Sequence, residues 1–181
     1  TVIVTTGTLK VNGINLLVNA NELIIYEGDT PKYTSTITGF INNDSATQIV
    51  SGPSYSVPGF NGKAGVYVIR PLALNLRFPG SYNITYDTAL LYVNPRGNGA
   101  KKIKPALVCI EPLTNHPSGM PYVAHFSVTN DNRTLVKIPI GPDNFITSTG
   151  YKGVQPEIFQ PGTQFFDIYF DGNKLIWTVY S

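Results

Sequence analysis

An all-β chain of two tandem β-sandwich domains is predicted by three features of the sequence: its residue mixture, its two-residue alternation and an internal offset of 82 residues. Hydrophobic residues fill 42% of the 181 positions and charged residues only 13%, against roughly 25% charged in ordinary domains. Thr, Ser, Asn, Gly and Pro take up the difference, a mixture that suits pleated strands joined by turns. The length accommodates two domains of roughly 80–90 residues, each large enough to bury a core without staples.

The offset organises the chain. Residues 1–11 (TVIVTTGTLKV) align without gaps to residues 83–93 (NITYDTALLYV), matching Val2 with Ile84, Val4 with Tyr86, Thr6 with Thr88, Leu9 with Leu91 and Val11 with Val93. The spacing falls in the size range of one β-sandwich domain of immunoglobulin-like (Ig-like) type. Residues 1–11 are therefore expected to be the end of a preceding repeat, or the first strand of domain 1. A first domain over 12–95, a linker over 96–102 and a second domain over 103–181 follow. The linker (RGNGAKK) is a hinge rather than a phosphate-binding loop, because a strand-like run and not a helix comes after it. Arg96, Lys101, Lys102 and Lys104 read as its solvated charges.

Short apolar runs between turn signals predict strands at 14–18, 22–26, 33–37, 66–70, 72–78, 82–86 and 89–94 in the first domain. In the second they predict 103–111, 122–129, 134–140, 164–170 and 174–180. Asp44 before SATQIV offers an N-cap for at most two helical turns. Asp171-Gly172 predicts a two-residue hairpin pairing Ile168 with Leu175 and Phe166 with Trp177. Asp131-Asn132-Arg133 predicts another, with Val128 opposite Val136, Phe126 opposite Ile138 and Ala124 opposite Ile140.

Reactive chemistry is sparse in this inventory. A net charge of +2 gives no basic surface for nucleic acid or anionic lipid, and no apolar run reaches the ~18 residues of a membrane span. The one cysteine, Cys109, has no partner for an internal disulfide, supports no Cys-based zinc site, and reads as a small core residue. His116 reads as a turn residue, and His125 falls on the strand face opposite Phe126. The 11 acidic residues mostly occupy turns, and no catalytic pair or metal-ligand spacing stands out, so no enzyme, cofactor or metal is expected. Three Asn-x-Ser/Thr triplets, at Asn43, Asn83 and Asn132, carry no weight in so Asn- and Thr-rich a chain. The aromatic residues near Gly/Pro-rich segments are the candidate ligand contacts, Tyr122, Tyr151 and Phe159 above all. The chain begins at Thr1 without Met, and a processed or excised piece of a longer protein is the expectation.

Tyr26-Glu27-Gly28-Asp29-Thr30-Pro31, Tyr33-Thr34, Ile37-Thr38-Gly39-Phe40 and Asn43-Asp44 together resemble the MBG repeat (YGX type) of bacterial surface adhesins. Gly52-Pro53, Gly65-Val66-Tyr67, the Tyr82–Tyr86 run and Leu91–Pro95 continue the pattern over about half the chain. Glu27, standing between the Tyr and the Gly of the signature, is a departure. The second half is similar to the terminal module that follows such repeats. The resemblance implies a non-catalytic stalk and adhesion segment, extracellular on the bacterial surface and monomeric in isolation. Its partner would be a host or environmental surface ligand, a glycan or a protein. Tyr26, Gly28, Asp29, Tyr33, Gly39, Asp44 and Gly65 would be structural. A carbohydrate-binding module is the alternative.

Overall fold

A computed structural model describes residues 13–41 and 44–181, so the expected repeat at 1–11 lies outside the described residues. The chain is all-β, 52% strand. Its strands are β1 (Ile14–Ala20), β2 (Leu23–Tyr26), β3 (Ser35–Thr38), β4 (Ile49–Ser51), β5 (Ser54–Ser56), β6 (Gly65–Leu72), β7 (Asn75–Leu76), β8 (Tyr82–Asp87) and β9 (Ala89–Asn94). There follow β10 (Lys104–Pro112), β11 (Tyr122–Asn130), β12 (Val136–Lys137), β13 (Asn144–Ser148), β14 (Tyr151–Lys152), β15 (Ile158–Phe159), β16 (Gly162–Phe170) and β17 (Leu175–Val179). Only two short 3₁₀ turns interrupt them among the described residues, Ala46–Gln48 and Pro79–Ser81. Ser45, not Asp44, caps the first, accepting from Thr47 N.

Contacts divide the chain into two units, one holding 13–23, 32–59 and 68–90, the other 24–31, 60–67 and 91–181. Segments 24–31 and 60–67 and the expected linker 96–102 thus all sort with the second unit.

In the first unit β1 is the centre of a sheet ordered β3-β1-β8. Alternate residues of its INLLVNA sequence turn inward, and Leu16 and Val18 are fully buried with Leu74, Leu76 and Tyr82. Burial of each such side chain is worth roughly 1.5–3 kcal/mol. β3 runs antiparallel to β1, whereas β8 runs parallel to it, from Ile14↔Tyr82 to Asn19↔Asp87. Asn83 Nδ2 adds a bond to Gly13 O at 2.9 Å.

In the second unit a four-stranded sheet runs β10-β11-β16-β14, and β13–β17 and β12–β15 form two further pairs. Even-numbered residues of β11 and β16 (Ala124, Phe126, Val128, Ile168, Phe170) enter one core with Val136, Ile138, Phe159 and Trp177. Both expected hairpins are corrected here. β16 pairs with β11 and β14, and β17 pairs with β13. The Asp171-Gly172 corner therefore carries the chain from one sheet to another. Phe166 and Trp177 do meet, edge to face at 4.8 Å, but as side chains packed between strands of different sheets. Likewise β11 pairs with β10 and β16 while β12 pairs with β15. The expected strand 134–140 shrinks to Val136–Lys137.

The physical reason lies in the turn residues. Asp171 accepts from Asn173 N at 3.0 Å and from Thr149 Oγ1 at 2.8 Å, which holds a wide corner instead of a flush turn. Asn130 accepts from Asn132 N, and its Nδ2 donates to Thr134 O and Phe159 O. A buried asparagine that spends its amide on three backbone groups splays the strands it joins.

Asn144 ties the second core together. It is fully buried; its Nδ2 donates to Ile138 O and Pro156 O, and its Oδ1 accepts from Trp177 Nε1 at 2.9 Å. Asn144→Ala leaves three buried groups without partners, and the expected loss is about 2–4 kcal/mol. Urea unfolding followed by the fluorescence of Trp177, the one tryptophan, measures it. A loss under about 1 kcal/mol would show that the network is not needed.

Candidate binding surface

The residues of the signature motif build two local structures. In the first unit, Tyr33 and Tyr55 pack with ring centroids 5.6 Å apart, and Tyr55 donates to Ser35 Oγ. Asp44 accepts a 2.6 Å hydrogen bond from the Tyr82 hydroxyl, which in turn accepts from Ile41 N. Gly39 has φ +105° and a Cβ there would sit 2.4 Å from Asn15 O, so no other residue fits against β1.

In the second unit, Tyr26 to Asp29 is a turn closed from both sides. Asp29 N donates to Tyr26 O and Tyr26 N donates to Asp29 Oδ2, each at 3.0 Å, with Gly28 at φ +86° between them. Arg96 pairs with Asp29 and lies 4.7 Å over the Tyr26 ring. Glu27, the departure from the signature, accepts from Ala64 N and from Arg96 N. One carboxylate thus pins two separate segments to the turn. Gly65 opens β6 just after the pinned Ala64. The expected solvated linker is itself bound: Lys101 N donates to Asn132 Oδ1, Asn132 Nδ2 donates to Lys101 O, and Ile103 N donates to Ser181 Oγ. Arg96 and Lys104 each hold an aspartate, Asp29 and Asp131.

The three candidate ligand contacts separate. Tyr122 and Tyr151 are both half-exposed and both stand in register with Phe170, one on each side of β16. Tyr122 packs on the Phe170 ring at 5.7 Å and borders an apolar groove of about 370 Å³, lined also by Leu107, Ile110 and Leu175. Phe159 is a correction. It is 0% exposed, stacked near Trp177 in the core, and no ligand reaches it. Its place after a Gly/Pro-rich stretch suggested exposure, but it pairs with Val136 on β12 and fills the core beneath.

Cys109 is the second correction. The whole of β10 is exposed, with Leu107, Val108 and Ile110 at 53%, 55% and 49%, and Cys109 is exposed with it. A bulge between Leu107 and Cys109 sets the face on which the thiol stands. Leu107 pairs with Phe126 on the core face, one residue is skipped, and Cys109 pairs with His125 on the outer face. His125 pairs in turn with Asp167 on β16. Cys109, His125 and Asp167 therefore form one row across three strands, and Glu111 lies two residues along β10 on the same face. His125 Nδ1 and Asp167 Oδ1 are 2.7 Å apart, and His125 Nε2 lies 3.8 Å from Glu111 Oε2. Only the register revealed this row, because its members are widely separated in sequence. His116 closes a turn through Gly119 N and stacks on Tyr169 at 4.8 Å.

Comparison with protein-family models, curated proteins and solved structures returns no match, and the resemblance to the MBG repeat rests on its residue motifs.

The Glu27–Asp29 turn has a pH signature. Hydrogen bonds from Ala64 N and Arg96 N hold the Glu27 carboxyl below its ordinary value of 4.5, and those from Tyr26 N and Arg96 hold Asp29 below 3.8. A depressed folded value means stability that is complete above the ordinary carboxylate range and lost as pH falls through the lowered values. Glu27→Gln is expected to lower Tm at pH 7 and to match the parent protein at about pH 2. A Tm difference that does not shrink in acid would remove the charge from the explanation.

Proposed function

We propose that the chain is a non-catalytic, load-bearing segment of a secreted bacterial surface adhesin, two β-sandwich modules of Ig-like type in which the first resists tension and the second offers a contact surface. The observation that carries this reading is the parallel pairing of β1 with β8 through six residue pairs, Ile14↔Tyr82 to Asn19↔Asp87. Because the pair is parallel, the start of β1 at Ile14 and the end of β8 at Asp87 lie at opposite ends of it. Tension between those points pulls the two strands along their length, so that evenly spaced bonds are loaded together. An antiparallel hairpin pulled at its open end would release them one at a time. Stalks need the first geometry, because forced unfolding is governed by the unfolding rate.

The contact surface in this reading is the half-exposed pair Tyr122 and Tyr151 with the apolar groove beside Tyr122. The aliphatic lining suits the side chains of a protein ligand better than a glycan, which needs polar partners around an aromatic platform.

Single-molecule pulling tests the load-bearing role. In a Cys109→Ser background, handles at Asn15→Cys and Asp87→Cys shear the pair, and handles at Asn15→Cys and Asn83→Cys peel it. All three attachment positions are exposed. The shear arrangement is expected to rupture at several times the force of the peel arrangement at equal loading rate. Equal forces would end the stalk reading.

A further inference from the structure

We propose that Cys109, Glu111 and His125 form a binding site for a divalent transition metal of zinc type, with Asp167 as the positioning residue behind the histidine. The donor atoms of Cys109, Glu111 and His125 lie within 4.8 Å of one another. Tetrahedral zinc, with bonds of about 2.3 Å to sulfur and about 2.0–2.1 Å to nitrogen or oxygen, sets its ligands about 3.3–3.6 Å apart. Nε2 and the Glu111 carboxylate are already at 3.8 Å. Cys109 and Glu111 are exposed on the edge strand, so small rotations of their side chains close the remaining gap without moving the backbone.

The histidine supplies the second, independent observation. An ionised carboxylate only accepts hydrogen bonds, so Nδ1 is the donor in its 2.7 Å contact with Asp167. In the neutral ring Nε2 is then a lone pair. That atom is almost completely shielded from solvent and has no hydrogen-bond partner. An acceptor so placed, turned toward a carboxylate that also accepts, is satisfied by a cation shared between them. Asp167 behind the ring is the carboxylate–histidine arrangement that fixes the tautomer and orientation of a metal-binding imidazole.

The donor set selects the metal. One thiolate, one imidazole and one carboxylate suit zinc, cobalt or a similar borderline ion, and not calcium or magnesium. Coordination replaces the thiol proton, which passes to solvent. Three protein donors leave a fourth position for water. A nucleophilic Cys–His pair is the competing use of the same row. It requires a thiol hydrogen-bonded to the ring, whereas Nε2 has no such partner, and it gives Glu111 no task. The bulge of β10 is what brings the thiol to this face.

The test uses cobalt(II) as the probe, titrated into the full chain under anaerobic reducing conditions. The expected result is a thiolate-to-cobalt charge-transfer band that saturates at one equivalent. Cys109→Ser abolishes the band. Glu111→Gln weakens binding at least about tenfold, and Asp167→Asn weakens it about 10–100-fold with the band still present at saturation. Circular dichroism confirms the fold of each variant, and all three positions are exposed. Absence of a thiolate band at a hundredfold excess of cobalt would overturn the site. So would a band indifferent to Glu111→Gln and Asp167→Asn, which marks an isolated thiol. Rapid iodoacetamide alkylation of Cys109 that depends on His125, with no cobalt band, would reassign the row to a nucleophile.

Discussion

Everything in the second unit depends on the phase of the two-residue alternation in β10, β11 and β16. A strand offers one face to a core, and a slip of one residue exchanges every inward side chain for an outward one. In β11 and β16 the even positions face inward, and Phe126, Ile168 and Phe170 are buried. The odd positions His125 and Asp167 are thereby placed side by side on the outer face. β10 joins them only because it carries a bulge. Without the extra residue, Val108 would stand opposite His125, and Cys109 would oppose Ala124 on the core side. One skipped residue decides whether the thiol stands beside Ala124 or beside His125.

The same strand shows how an open edge is managed. Among the described residues β10 pairs only with β11, and its exposed apolar centre could template pairing with another chain. Pro105 and Pro112 remove donors near its two ends, Lys104 adds charge at the start, and the bulge bends the middle. A metal joining Cys109 and Glu111 on β10 to His125 on β11 would fasten that edge across the ladder as well. Polar groups fasten the interior in a comparable way. Asn130 and Asn144 each divide their amides among several backbone or side-chain partners.

Much of the strand inventory was legible because alternation survives in the sequence. β9 falls at 89–94 as expected, and β1, β8, β11 and β16 differ from expectation only by a residue or two at their ends. What alternation does not carry is the identity of the neighbour. Phe166 and Trp177 are in phase whether they sit side by side in one sheet or face each other between two, and only the grip of Asp171 on Thr149 and Asn173 separates the cases. Short strands such as β4, β5 and β14 hold too few residues to show a period. The outer-face row escaped for a different reason. A bulge leaves no mark in composition, and its three members come from positions 109, 125 and 167, brought together by ladders that the sequence does not spell out.

The phase set by the bulge is open to a direct chemical measurement. Paired residues of an antiparallel ladder bring their Cα atoms about 4.5–5.5 Å apart, inside the span of a disulfide. His125→Cys is expected to cross-link with Cys109 in the folded protein under mild oxidation, as read by mass spectrometry of the intact chain and its proteolytic fragments. Ala124→Cys, one residue away and facing the core, is expected to leave Cys109 free. Cross-linking by the Ala124 variant in place of the His125 variant would mean that β10 runs unbulged, with its thiol turned inward.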